Sequence, residues 1–242
     1  MMAAAFAELE LDWRYLKLPV PPERFAETVR ALPGSGYVGA NVTVPHKLAA
    51  HDLARERSPA ATAIGAANTL TFSNGVIEAD NTDAGGFLDA LGEPPAGLRA
   101  LVLGAGGAAR AVVWALREAG AAEVAVWNRT PERAEALARE LGARPAARPE
   151  PADLLVNATP VGLGPSDSLA ELGLDILDPP AVVVDLVYGA EPTPVERWAS
   201  RGGGRVVGGL EVLVRQGARS LELWTGREAP IEAMRAAASS PA

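Results

Sequence analysis

The chain has 242 residues, with 22 basic against 30 acidic side chains, a net charge of −8, and 48% apolar residues. That length and apolar content suit one large α/β domain or two modest ones with cores of their own, and argue against a disordered chain. The acidic balance speaks against a nucleic-acid backbone as partner, and the absence of cysteine excludes disulfides, thiolate catalysis and cysteine-bound zinc.

No segment has the basic-then-apolar form of a signal peptide or the apolar length of a membrane span, so a cytoplasmic protein with no membrane partner is expected. Met1–Leu9 has helical character, which opens the chain on a helix. Asp12–Val20 and Tyr37–Thr43 read as strands around a helix with Phe25, Val29 and Leu32 on one face. Asn41-Val42-Thr43-Val44-Pro45-His46-Lys47 then joins a strand end to a helix start. Pro45 fixes the turn, so Asn41, Thr43 and Lys47 can all face the mouth of the sheet. Strands at Asn68–Phe72 and Val76–Asp80 flank Ser73-Asn74-Gly75, whose Asn-Gly step favours a tight hairpin. Asp83 precedes a helix over Ala84–Leu91 and, read alone, is a cap more readily than a catalyst.

From Arg99 the pattern becomes that of a parallel sheet with crossover helices. Arg99–Leu103, Glu123–Trp127, Asp153–Val156, Ala181–Val187 and Arg205–Val207 read as its strands. One helix carries Ala109, Val112, Val113 and Leu116 on its apolar face and stops at Gly120. The next has Thr130 as cap, Pro131 at its first position, Ala134, Leu137, Ala138 and Leu141 inside, and Gly142 at its end. A last helix over Leu210–Trp224 should bury Leu210, Leu213, Val214, Leu221 and Trp224, with fraying after about Ala237. The expected division is an α/β domain from residues 1–83 plus 210–242 and a doubly wound domain from 84–209.

Leu101-Val102-Leu103-Gly104-Ala105-Gly106-Gly107-Ala108-Ala109-Arg110 runs from strand through a glycine turn into an amphipathic helix. Gly104 allows the turn, Gly106 lets backbone approach a pyrophosphate, and the helix N-terminus holds the anion, with Ala105, Gly107 and Ala108 beside it. Arg110 reaches toward a cofactor phosphate or toward solvent. The next strand ends in Asn128-Arg129-Thr130 with Arg133 one turn on, where an NAD site carries an acidic residue. Two guanidinium groups there suit the 2′-phosphate of NADP, and the alternative is solvated surface charge. No cluster has metal-ligand spacing, and His46 and His51 read as non-catalytic.

The ordered set NVTVPHK, GAANT, DNTDAGGF, VLGAGGAAR, WNRT, NATPVG, VVDLVY and GGLEVLVRQG resembles the shikimate dehydrogenases over nearly the whole chain. The resemblance implies a substrate domain completed by the C-terminal helix, a Rossmann-type NADP domain, and an active site in the cleft between them. It implies NADP-dependent reduction of 3-dehydroshikimate, with Lys47 and Asp83 as catalytic pair. Asn41, Thr43, Asn68, Tyr188 and Gln216 then face the substrate, while Asn157, Ala158, Thr159 and Gly209 flank the cofactor. A quinate/shikimate dehydrogenase is the near alternative, and a non-catalytic NADP-binding module the distant one. Oligomeric state is left as monomer or homodimer.

Family members begin with a strand and a Ser-x-Ser loop that binds the substrate carboxylate, followed by a segment like Met-His-Asn-Ala-Ala-Phe. This chain reads Met1-Met2-Ala3-Ala4-Ala5-Phe6 from its start, without that strand or loop. A start assigned too far downstream, a fragment, and a natively short protein are the three explanations, in that order. Two lost hydrogen bonds to a carboxylate cost about 1.5–3 kcal/mol each, so normal NADP binding with weak or absent turnover is expected of these 242 residues.

Overall fold

The computed structural model of the chain describes residues 1–164, 168–189 and 191–239. It divides into two compact units, Met1–Gly86 with the chain from Val214 on, and Phe87–Leu213.

The first unit is built on a four-stranded sheet in the order Gly39–Asn41, Thr69–Ser73, Val76–Asp80, Glu56–Arg57. The first two pairings are antiparallel and the last is parallel. Asn74 and Gly75 both take positive φ, 50° and 76°, which makes the expected tight hairpin. Phe25, Val29, Val42, Ala50 and Leu70 pack as one core cluster. In a second cluster the opening helix Met2–Glu8 lays Met2, Ala5 and Phe6 against Val214, Ala218, Leu221 and Met234.

Asp12–Val20, expected as a strand, is extended but pairs with nothing: among the described residues none of its backbone N–H groups donates to another backbone carbonyl. A strand exists only through its ladder, and alternation of side chains does not supply a partner. Tyr15, Leu16 and Leu18 are consequently exposed. The strand expected over Tyr37–Thr43 shrinks to Gly39–Asn41 because it pairs on one side only, with Thr69–Ser73. The short strand Glu56–Arg57 and helix Pro59–Ile64 went unread, although Ser58 caps that helix by accepting from the Ala61 N–H. Beyond the long helix Gly209–Thr225, a further helix runs over Ile231–Ser239, so Ala238 and Ser239 are helical where fraying was expected, and the rest of that expectation lies outside the described residues. On the long helix the buried apolar side chains are Val212, Val214, Ala218 and Leu221, while Leu210, Leu213 and Trp224 are half-buried.

The second unit holds a six-stranded parallel sheet in the order Arg205–Val207, Val182–Asp185, Leu154–Asn157, Arg99–Leu103, Glu123–Trp127, Arg144–Pro145. Its inner strands are apolar runs, as a sheet covered on both faces requires, and Leu101, Leu103, Leu154 and Val183 are fully buried. Chain order reverses between Arg99–Leu103 and Leu154–Asn157. In sheets of this kind that reversal opens a crevice beyond the carboxyl ends of the strands, where ligands bind.

Candidate active site

In the first unit, Lys47 opens the helix Lys47–Leu53, and Asp83 lies in the first turn of Thr82–Leu91. That helix starts earlier than expected. Asn81 takes the capping role by accepting from the Ala84 N–H, which frees the Asp83 carboxylate for other work. Lys47 Nζ donates to Asp83 Oδ2 at 2.6 Å, and the two side chains are only 12% and 17% exposed. A pair that shielded feels a stronger field than one in open water.

Asn68 is the hub beside them. Its Nδ2 lies within hydrogen-bond reach of Asp83 Oδ1 (2.9 Å), Thr82 Oγ1 (2.9 Å) and Gln216 Oε1 (3.0 Å), while its Oδ1 accepts from the Thr82 N–H. Two amide hydrogens thus serve three acceptors. From there hydroxyls carry the network onward. Ser220 Oγ bonds Thr69 Oγ1 at 2.8 Å and accepts from Asn41 Nδ2 at 2.9 Å, and Asn41 Oδ1 accepts from the Tyr15 hydroxyl. Lys47, Asp83, Asn68, Gln216 and Asn41 are therefore brought into one connected cluster. Thr43 is exposed, with no hydrogen bond to its hydroxyl among the described residues. Tyr188 belongs to the second unit and is half exposed. Tyr15, Thr69, Thr82 and Ser220 were missed in the sequence. Only Ser220 left a signal, lying four residues after Gln216 on the same helical face.

His46 serves packing. Its ring stacks on Phe25 with centroids 4.6 Å apart, and Nε2 lies 2.9 Å from the Val20 carbonyl. His51 contacts Asp52, and no group of three potential metal ligands occurs among the described residues.

In the second unit Gly104 and the turn after it lie at the crevice. Gly104 has φ 109°, and an added Cβ would sit 2.8 Å from the Ala158 carbonyl oxygen, so both backbone shape and space require glycine. At Gly106 an added Cβ would meet no protein atom within 4 Å, which leaves the backbone open to an incoming ligand. Gly106 is the N-cap of the helix Gly107–Glu118 with no side chain bonded across it, so the first N–H groups, near Gly107 and Ala108, remain for an anion. This geometry fits a dinucleotide pyrophosphate. Asn128 turns its amide onto the Thr130 carbonyl, and Thr130 makes no side-chain cap, contrary to expectation. Arg129 and Arg133 are exposed and carry no ion pair among the described residues. Arg110 instead donates to Glu140 at 2.6 Å.

Asn157 departs from the expectation of a ligand contact. Fully buried, it donates to Val161 O and Asp185 Oδ1 and accepts from the Thr159 N–H and hydroxyl, which uses all four of its valences inside the protein. Its part is to shape the loop that carries Ala158 and Thr159. Asp185, also fully buried, accepts from Asn157 Nδ2, the Val187 N–H and the Thr193 hydroxyl. Desolvation pushes its carboxyl up to about 6 against the pull of those three donors. Gly209 opens its helix against the backbone of Leu186 and Val187.

No helix among the described residues is long and apolar enough to cross a membrane. Residues 1–70 match the shikimate dehydrogenase substrate binding domain, residues 92–156 the shikimate / quinate 5-dehydrogenase family, and residues 209–238 the shikimate 5′-dehydrogenase C-terminal domain. The shikimate dehydrogenase (NADP(+)) of Methanopyrus kandleri is 44% identical, over 98% of this chain and 88% of the relative. That of Moorella thermoacetica is 41% identical over 100% of this chain and 90% of the relative. Among solved structures, shikimate 5-dehydrogenase from Thermus thermophilus in complex with NADP(H) and shikimate is similar with TM-score 0.89 and 43% identity, covering 98% of this chain and 91% of that one. With a lysine–carboxylate cluster in one unit, a glycine turn at the crevice of a parallel sheet in the other, and this degree of likeness, the chain belongs to the shikimate dehydrogenase family.

Proposed function

We propose that the protein catalyses the reversible NADP-dependent reduction of 3-dehydroshikimate to shikimate, a step in the pathway of aromatic amino acid biosynthesis. The observation that carries this reading is the shielded Lys47–Asp83 pair with Asn68 bonded to the same carboxylate. When bound, the nicotinamide cofactor would supply the hydride for the carbonyl carbon. Lys47 Nζ, held by Asp83, stabilises the alkoxide that develops on the oxygen and gives it a proton. In the oxidative direction the neutral amine takes that proton back.

Asn68 and Gln216, which already share a hydrogen bond, offer an amide and a carbonyl to the ring hydroxyls of the substrate. Asn41 and Thr43 extend that polar surface from the neighbouring strand end, and Tyr188 serves the carboxylate. On the cofactor side, the turn Gly104 to Ala108 holds the pyrophosphate. Arg129 and Arg133, beside Asn128 and Thr130, hold the 2′-phosphate. Ala158, Thr159 and Gly209 border the nicotinamide half. The strand end carries Asn128 where an NAD site carries a carboxylate, which favours this reading over a quinate/shikimate enzyme. We place the protein in the cytoplasm, as a monomer or homodimer with no resident metal.

The test is absorbance of NADPH formed from shikimate and NADP⁺, with NAD⁺ and quinate as comparators. A shikimate-dependent, NADP⁺-selective rate is expected, and its size is secondary to its selectivity. Arg129→Ala combined with Arg133→Ala should raise the NADP⁺ KM about 10²- to 10⁴-fold and leave that for NAD⁺ unchanged, since each of the two charge-assisted contacts to the phosphate contributes about 1.5–3 kcal/mol. Equal use of NAD⁺ by the unaltered protein, or no turnover of shikimate by a folded protein that also fails to bind NADP⁺, would overturn the assignment.

A further inference from the structure

We infer that Asp185 is a positioning residue for the cofactor, its buried carboxylate clamping the backbone segments at the carboxyl end of the parallel sheet into the shape that receives the dinucleotide. The inference rests on the proposed NADP reading of this unit and adds a residue that makes no ligand contact itself.

Asp185 ends the strand Val182–Asp185, in register with Asn157 at the end of the next strand. Its two oxygens gather donors from three places. Asn157 Nδ2 at 2.9 Å comes from the end of the neighbouring strand, and the Val187 N–H at 3.0 Å from the turn after its own. The Thr193 hydroxyl comes from the start of the helix Pro194–Arg201. Asn157 then fixes Thr159 and Val161, whose loop sets Ala158 against Gly104 in the pyrophosphate turn. On the other side Thr193 and Glu196 bond reciprocally across the helix start. Glu196 Oε1 lies 2.9 Å from where a Cβ on Gly208 would stand, next to Gly209. One carboxylate therefore links the segments carrying Gly104, Ala158, Thr159 and Gly209, the cofactor-facing positions of the proposal.

A buried carboxylate is an expensive way to fill this space. An apolar side chain would avoid the desolvation cost, whereas an acceptor that binds three donors at fixed angles specifies one loop geometry. The charged group that acts on it from the adjacent helix, Glu196, has the same sign and so does not offset the cost. Position at the ligand end of the sheet, three bound donors and, among the described residues, absence of a countercharge together point to geometry as its use.

The experiment compares Asp185→Asn with the unaltered protein by NADPH fluorescence for cofactor affinity, shikimate binding by calorimetry, and thermal melting. Asparagine keeps the shape, accepts from Val187 and Asn157, and offers Thr193 a donor where an acceptor stood. The expected result is an NADPH Kd raised about tenfold, shikimate Kd unchanged within about twofold, and a melting temperature not lowered. An unchanged NADPH Kd would overturn the inference. So would parallel loss of both affinities with a lowered melting temperature, the mark of a merely structural role. If Asp185→Asn does not fold, Thr193→Val against Thr193→Ser decides: valine should weaken NADPH binding and serine restore it, and equal affinities in the two refute the inference. Failure of the unaltered protein to bind NADPH would instead sink the NADP reading, and the inference with it.

Discussion

Lys47→Ala is expected to lower kcat about 10²- to 10⁴-fold, the range lost with a general acid that also stabilises developing charge. Asp83 would keep one donor of the two described, Asn68 Nδ2, and its carboxylate would face the ketone oxygen unneutralised. The fall should appear in kcat and in kcat/KM together, because the lost interaction is made in the transition state. Lys47→Arg separates charge from proton transfer. Arginine keeps the cation beside Asp83 but does not release a proton near neutral pH, so folding and substrate binding should recover while turnover stays low. Steady-state rates with shikimate and NADP⁺, read beside circular dichroism, check both variants. Full activity in Lys47→Ala would remove the lysine from the chemistry.

The second large effect concerns stability and runs against the usual direction for a buried polar residue. The Asp185 carboxyl is raised from 3.8 to about 6. The folded chain therefore holds this proton more tightly than the unfolded chain does. Its contribution to stability is greatest below about pH 4, falls as pH rises toward 6, and is flat above. That rise corresponds to a cost on the order of 3 kcal/mol at pH 7. Asp185→Asn does not titrate. The variant should match the unaltered protein below pH 4, gain on it through the pH 4–6 interval, and stay ahead at pH 7 by up to that amount. Urea unfolding at pH 4 and pH 7 reads the gap. A constant gap across pH, or a variant less stable at pH 7, would contradict it. A stabilised variant with weaker cofactor binding would be a case of activity maintained at the expense of stability.

The parallel sheet was legible because each of its main strands is a short apolar run closed by turn residues, and Arg99–Leu103, Glu123–Trp127 and Arg205–Val207 fall where periodicity puts them. Asp12–Val20 was not, because a strand is a relation between two segments and its alternation names no partner. Arg144–Pro145 and Glu56–Arg57 are too short to show any period. The proposed catalytic pair was readable only through the motif likeness. Lys47 and Asp83 lie 36 residues apart, and nothing local distinguishes Asp83 from a cap. What made the difference in three dimensions was Asn81 taking the cap. The Asn68–Thr82–Ser220 network and the Asp185 clamp were invisible for a related reason: hydroxyls and carboxylates on element ends look solvated until the fold closes over them.

The unpaired course of Asp12–Val20 makes the covalent link after the opening helix an extended tether without a backbone ladder of its own. Arg14 and Lys17 stand on that tether, in extended backbone of the kind a protease cleft accepts. Met2, Ala5 and Phe6, by contrast, are buried against Val214, Leu221 and Met234, and Met1 approaches Gly217 where no side chain intervenes. A trypsin nick after Arg14 should therefore cut the chain without releasing the piece, and the two fragments should travel together through gel filtration until denaturant parts them. The opening helix and the helices Gly209–Thr225 and Ile231–Ser239 thus form a non-covalent clasp, which should outlast the cut in the segment between them.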